Sequence, residues 1–368
     1  MRIRRLVALV AAFATAVGLG VLNAADAAMA PAGPFHVVAA PKISGQLLGV
    51  SAVTDRDVWT VGQSSDGKPI VQHYNGTSWR SFDVSALAPG YSTLRDVRAL
   101  GNNNVWAVGG VGDGSSLVLH WNGKQWSRIA SPNGTTPSLY SSTVFQQILA
   151  RSASDIWVVG GWDEGGPTGD SDFVAMAVHW NGSHWTNQSP PRDSTHYFPG
   201  FTSVTALSST TLLAVGNNDG DSCCFISSSA LWNGKQWTQP HTPGENGSIN
   251  AVTAVSSTEA WAVGSYGPNL DPSPLLHWFN GSWHYQRNNF IDLQAVTRRS
   301  AKDVWAVGGD LYGSSVIAMH FDGKAWQVVQ QGSHKSLTAV TVSPSGRLWA
   351  VGLLDSSSGW HTLVMATK

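Results

Sequence analysis

Short apolar runs, each bounded by Gly, Asn, Asp or Ser, recur along this chain at a long and nearly regular interval. The clearest marker is a Trp-Ala-Val-Gly signature that stands seven times. It occupies Trp59 to Gly62, Trp106 to Gly109, Trp157 to Gly160, a degenerate Leu213 to Gly216, Trp261 to Gly264, Trp305 to Gly308 and Trp349 to Gly352. The glycines lie 47, 51, 56, 48, 44 and 44 residues apart. An Asn-Gly or Asp-Gly pair follows each of the first six copies, and a Trp closes each pair: Trp79, Trp126, Trp185, Trp237, Trp283 and Trp326. Apolar runs rich in Val, Ile and Trp between such turn signals predict strands, and the Asn-Gly pair predicts a tight hairpin.

Each repeat therefore predicts four strands. Strand a is the Leu48 to Val53 type, strand b carries the Trp-Ala-Val-Gly, strand c is the Val118 to Trp121 type, and strand d begins near the second Trp. Four strands per repeat at this spacing predict an all-β, seven-bladed β-propeller of four antiparallel strands per blade. The seventh repeat stops after its strand c at Lys368. Residues near 35–40 resemble the segment that follows an Asn-Gly turn, so the N-terminal strand is expected to complete the last blade.

Composition narrows the functional classes. Charged residues are 12% of the chain and the formal net charge is −1, so no basic field exists to hold nucleic acid. Hydrophobic residues at 42% are enough for a core. Arg2, Arg4 and Arg5, the apolar stretch from Leu6 to Leu22, and the small-residue sites Ala25-Asp26-Ala27 and Ala28-Met29-Ala30 read as a secretory signal peptide over residues 1–30. A membrane anchor is the other reading of that stretch, which is marginal in length for a bilayer. Residues 31–368 are then a single exported propeller domain with no membrane span.

The blade motifs carry a resemblance. Val105 to Gly110, with Gly109-Gly110 after strand b, resembles a kelch-type blade; the Gly pair recurs at Gly160-Gly161 and Gly308-Gly309. The Asp-Val-Trp-Ala-Val-Gly of Asp303 to Gly308 and the His-Trp-Asn-Gly-x-x-Trp of His120 to Trp126 are similar to those of secreted bacterial propellers. That group resembles propeller lectins, including the lectin-like propeller subunits of umbrella-toxin particles. The resemblance implies a secreted, non-enzymatic module that binds cell-surface glycans, as the targeting subunit of a secreted interbacterial toxin particle with other secreted protein subunits as partners.

Candidate chemistry lies where the repeats differ. The a–b and c–d turns are short and nearly uniform, whereas the b–c and d–a connections vary in length, which is how a rigid scaffold presents a binding face. Trp162, Tyr197, Phe198, Tyr266, Tyr312 and Trp360 stand in or beside those connections, with Asp163, Asp170 and Asp221 near them. Aromatic rings stack on apolar sugar faces while carboxylates and amides take hydroxyls. His73, His120, His179, His277 and His320 occur one per blade, a spread that suits strand-end hydrogen bonding and not one metal ion. The acidic pairs in the same connections lack an EF-hand spacing, so calcium is not favoured and no cofactor is expected. Cys223-Cys224 form either a strained vicinal disulfide or two thiols. No Gly-x-Ser-x-Gly and no His-Glu-x-x-His is present, which disfavours an enzyme. A protein–protein adaptor is the alternative function, and a polysaccharide hydrolase using paired carboxylates is the third.

Overall fold

The computed structural model describes residues 34–133, 142–163, 173–191, 198–220, 224–243, 247–265, 273–286, 292–309 and 316–368. These form seven four-stranded antiparallel sheets, each ordered a-b-c-d. Blade 1 is Gly45–Thr54, Asp57–Ser64, Pro69–Tyr74 and Trp79–Ser81, and the next five follow the same plan. The only helical element among the described residues is a single 3-10 turn, Ser85–Leu87. No helix among them is long and apolar enough to cross a membrane.

The signature glycine has a specific cause. All seven strands a carry a bulge at the same place, between Leu47 and Gly49, Leu94 and Asp96, Phe145 and Gln147, and so on around the ring. The residue before each bulge pairs with the signature glycine of strand b. A Cβ on Gly62 would stand 2.0 Å from the Gln46 carbonyl oxygen, and on the other six 1.8 to 2.2 Å from the equivalent carbonyl. Only a residue without a side chain lets the two backbones come this close.

The strand b indole packs outward from its own sheet into the next blade. Trp59 of blade 1 meets Trp121 at 5.8 Å and Trp126 at 5.7 Å, both from blade 2. Trp106 meets Trp180 and Trp185, Trp261 meets Phe321 and Trp326, and Trp349 of blade 7 meets Tyr74 and Trp79 of blade 1. Each aromatic pair flanks the c–d turn and sits cross-strand, as Trp121 does with Trp126. The buried clusters accordingly join residues of neighbouring blades, not of single sheets.

The N-terminal strand closes the ring as expected, although it is only two residues long. His36–Val37 pairs antiparallel with Gly359–Ala366, strand c of blade 7. His36 opposes Ala366 just as Ser127 opposes His120 in blade 2, so Phe35 takes the place of Trp126. Phe35 is 3% exposed and stands edge-on to Trp305 at 6.1 Å and 82°, near the 79° of Trp126 against Trp59. Gln330, on strand d of blade 6 (Trp326–Gly332), accepts from Phe35 N at 2.8 Å and donates to Phe35 O at 3.1 Å.

Two stability outcomes follow. Phe35→Ala should cost about 3 kcal/mol in equilibrium denaturation, and deletion of residues 31–42 should lower the melting temperature further; unaltered melting would remove the clasp from the account. Gly308→Ala should destabilise by more than about 2 kcal/mol, because its Cβ would lie 1.9 Å from Asp292 O. Gly101→Ala is the control, since the nearest atom there is 3.8 Å away.

Candidate functional site

One face of the propeller carries the a–b and c–d turns, and its conspicuous side chains are engaged in structure. In five blades the strand b indole stacks on the strand c histidine with centroids 4.0 to 4.7 Å apart. The same histidine Nε2 lies 2.7 to 3.1 Å from an oxygen of the residue that opens strand b: Asp57, Asn104, Asp155, Glu259 or Asp303. In blades 1, 2 and 6 the indole N–H donates to that oxygen as well, at 2.6 to 3.1 Å. The five histidines thus hold strand ends, as expected. The partner two residues before each of these Trp residues, acidic in four blades and Asn104 in blade 2, is the member to which the sequence pattern assigned no role.

Two blades depart from this arrangement, each in a self-consistent way. Blade 4 places Leu213, Leu231 and Thr211 where those five blades have Trp, His and an Asp, Glu or Asn, so the whole set is absent from it. Blade 7 keeps Trp349 but opposes it with Ala366. Arg347 fills the gap, its guanidinium carbon 4.8 Å from the Trp349 ring centroid and its Nε donating to Thr367 O at 2.8 Å.

The other face carries the b–c and d–a connections. Trp360 lies there and is 51% exposed. Its hairpin is internally braced: Ser356 Oγ donates to Gly359 O at 2.9 Å, and Ser358 Oγ lies 2.9 Å from His361 Nε2. Gly359 takes φ 101°, which lets the turn close tightly. Asp355 opposes Trp360 across the hairpin, and its N–H bonds His334 O at 2.8 Å. His361 bridges Ser44 of the segment entering blade 1. The site is therefore an exposed indole on a fixed hairpin, flanked by a carboxylate, an imidazole and hydroxyls. Tyr91, 65% exposed in the connection from blade 1 to blade 2, is a second open ring on this face. It went unnoticed in the sequence because it sits in an ordinary Pro-Gly-Tyr turn.

The remaining candidates divide. Trp162 is half-buried, paired between Thr143 and Val174, and packed against the core shared by blades 2 and 3. Phe198 was expected on the binding face, and it is instead 4% exposed within the core of blades 3 and 4. An aromatic ring entering a strand a finds more apolar surface underneath than in solvent, and that packing removes it from the ligand set. The backbone of Asp163 ends strand b of blade 3, and that of Cys224 begins strand c of blade 4. Asp170, Tyr197, Asp221, Cys223, Tyr266 and Tyr312 lie outside the described residues. No group of three or more His, Cys, Asp or Glu placed to hold a metal ion occurs among the described residues.

Strand a of all seven blades walls a central cavity of about 470 Å³. Side chains on these strands bond the backbone of the neighbouring blade. Ser51 accepts from Ala99 N, Ser203 from Val252 N and Thr205 from Ala254 N, each at 3.0 Å. Asp96 is the charged member of the series, accepting from Ile148 N at 3.1 Å and from Val97 N at 2.8 Å. Burial pushes its carboxyl up to about 6, against the opposing pull of Arg98 and the two amides. Sequence periodicity gives no hint of this cavity, because the residues that line it also satisfy the strand pattern.

No family model matches the chain, and no curated protein matches it. Solved structures do. YCF48 bound to a D1 peptide is 15% identical, with 92% of this chain and 96% of that one covered, at a TM-score of 0.57. The WD40 β-propeller domain of Doa1 is 12% identical over 90% and 97%, at 0.58. A chain of the mitotic checkpoint complex is 12% identical over 100% and 99%, at 0.60. At such identities the likeness establishes the fold, a β-propeller across the described chain, and nothing of the ligand.

The Asp96 carboxyl gives the fold a pH signature. A folded-state pKa raised from 3.8 to about 6 favours the protonated fold. Its contribution is full below about pH 4 and is lost as pH rises through 6, a change of about 3 kcal/mol. Asp96→Asn should therefore flatten the stability profile between pH 4 and 6.5 relative to the parent, as followed by urea denaturation. Parallel profiles would refute the assignment.

Proposed function

We propose that this chain is a secreted, non-enzymatic propeller that binds cell-surface glycans on the face carrying its b–c and d–a connections. The observation that carries the reading is Trp360: a ring 51% exposed, held on a braced hairpin beside Asp355, His361 and Ser358. Exposing an indole forgoes its burial energy, and a flat apolar plate ringed by hydrogen-bonding groups complements the two sides of a sugar ring. Asp163, Asp170, Tyr197, Asp221, Tyr266 and Tyr312 belong to the proposed ligand set by their place in the sequence, with Tyr91 added and Phe198 withdrawn. The N-terminal residues support export. The motif resemblance extends the reading to a targeting subunit of a secreted interbacterial toxin particle.

A protein adaptor is the second reading, favoured by one feature. Strand d of blade 6 has seven residues where the other outer strands have two to four. Val328 and Val329 on it are 43% and 39% exposed, and the strand holds neither charge nor proline. Such an edge accepts an added strand.

Trp360→Ala should abolish or weaken by at least tenfold the retention of the mature protein on bacterial polysaccharides or a glycan array, with melting unchanged. Tyr91→Ala should give a smaller loss. Failure of the parent protein to bind any polysaccharide, alone or with co-purifying subunits, would overturn the glycan reading. Capture of a stable partner whose binding survives excess sugar and is lost on Val328→Lys would support the adaptor.

A further inference from the structure

We propose that the central channel is a binding site for a small oxyanion, a ligand presenting phosphate or carboxylate groups. The proposal concerns a cavity distinct from the Trp360 hairpin and does not depend on the glycan reading.

The channel is walled by neutral side chains except at four positions: Arg95, Asp96, Arg98 and Arg298. Three guanidiniums thus share about 470 Å³ with a single carboxyl. A volume of this order is that of an ordinary small-ligand site. In a chain so poor in charge, this is an unusual concentration of one sign.

The positions around the ring show why Arg95 differs. One residue past each bulge opening, most strands a carry a polar side chain, and several bond the neighbouring blade. Thr202 Oγ1 donates to Ile249 O at 2.7 Å, Asn250 Nδ2 to Leu293 O at 2.9 Å and Thr338 Oγ1 to Leu47 O at 2.6 Å. Arg95 occupies the same position in blade 2 and makes no hydrogen bond and no ion pair with a carboxylate among the described residues. Arg98, on the same strand, has its Nε buried without a hydrogen-bond partner. Only Arg298 is tied down, donating from Nη1 to Val255 O at 2.7 Å.

Arg95 is exposed to the cavity's solvent, whereas the Arg98 Nε is shut off from water without an acceptor, and a shielded N–H left unpaired is costly. The channel walls lower the pKa of Arg95 and Arg298, which means the charged form is penalised. Arginine does not answer that penalty by losing its proton. The cost is relieved by an acceptor, and the planar fork of N–H groups matches two oxygens of a carboxylate or phosphate. Asp96 does not fill this role: among the described residues it makes no ion pair with Arg95 or Arg98, and its oxygens are directed at the Ile148 and Val97 amides.

The test uses the full mature chain, melted and titrated calorimetrically with inorganic phosphate, citrate and glucose at constant ionic strength. A saturable rise in melting temperature with phosphate or citrate and none with glucose is expected, and the stronger of the two anions identifies the preferred oxyanion. Arg95→Gln should weaken that binding at least tenfold without lowering the unliganded melting temperature, since its side chain makes no hydrogen bond or ion pair among the described residues. Arg98→Gln should weaken it too. Lys68→Gln, an exposed cation paired with Asp66 away from the channel, should leave it unchanged, as should Trp360→Ala. No saturable response to either anion, or a response that Arg95→Gln leaves intact, overturns the proposal.

Discussion

The strand b indole cannot be buried within its own blade, and the rest of the structure follows from that constraint. Each Trp finds its cover in the aromatic pair of the next blade, so no blade is stable alone and every blade needs two neighbours. A row of such dependencies ends well only if it ends on itself. Hence the last blade borrows Phe35 to cover Trp305, and Trp349 returns to Tyr74 and Trp79 of the first. The bulge in strand a and the glycine facing it serve the same closure, because they bring strands a and b close enough to wedge seven sheets around one axis.

Much of this was legible in the residues. The Trp-Ala-Val-Gly and Asn-Gly-x-x-Trp spacings report the strands that repeat seven times, and repetition amplifies a weak local signal. The one-per-blade histidines were readable as structural, since a ring disperses equivalent residues. Features that occur once were not readable. Phe198 and Trp162 stand in variable connections, but their burial is decided by neighbouring blades far away in sequence. Arg95, Asp96 and Arg98 look like the polar half of an alternating strand, and only the closed ring turns that half toward a shared cavity. Trp360, assigned to the binding face by the same kind of position in a connection, is the exception that stays exposed.

The division of labour between the two faces has the same origin. Indole, imidazole and a polar strand-end residue engage one another on the turn face; blade 4 replaces all three, and blade 7 keeps its indole and recruits Arg347 to it. Such mutual satisfaction leaves little free to recognise a ligand. The opposite face has no repeated set of this kind, so its side chains are released from the fold and open to selection for contact with something else.

Closure by an N-terminal strand also sets an order of events. During synthesis the segment around Phe35 is made before any blade, and the strand partners of His36 and Val37, Ala366 and Met365, are made only after all the other blades. Loop closure over nearly the whole chain is entropically the most demanding contact in the molecule. The first blades can stack as they emerge, yet the ring stays an open horseshoe with the Trp305 indole uncovered until the final residues arrive. For that interval the chain is exposed to proteases and to its own siblings, whose free N-terminal strand offers Gln330 the same two hydrogen bonds. Ring closure therefore competes with strand exchange between molecules, and the competition is decided by how dilute the newly made chains are.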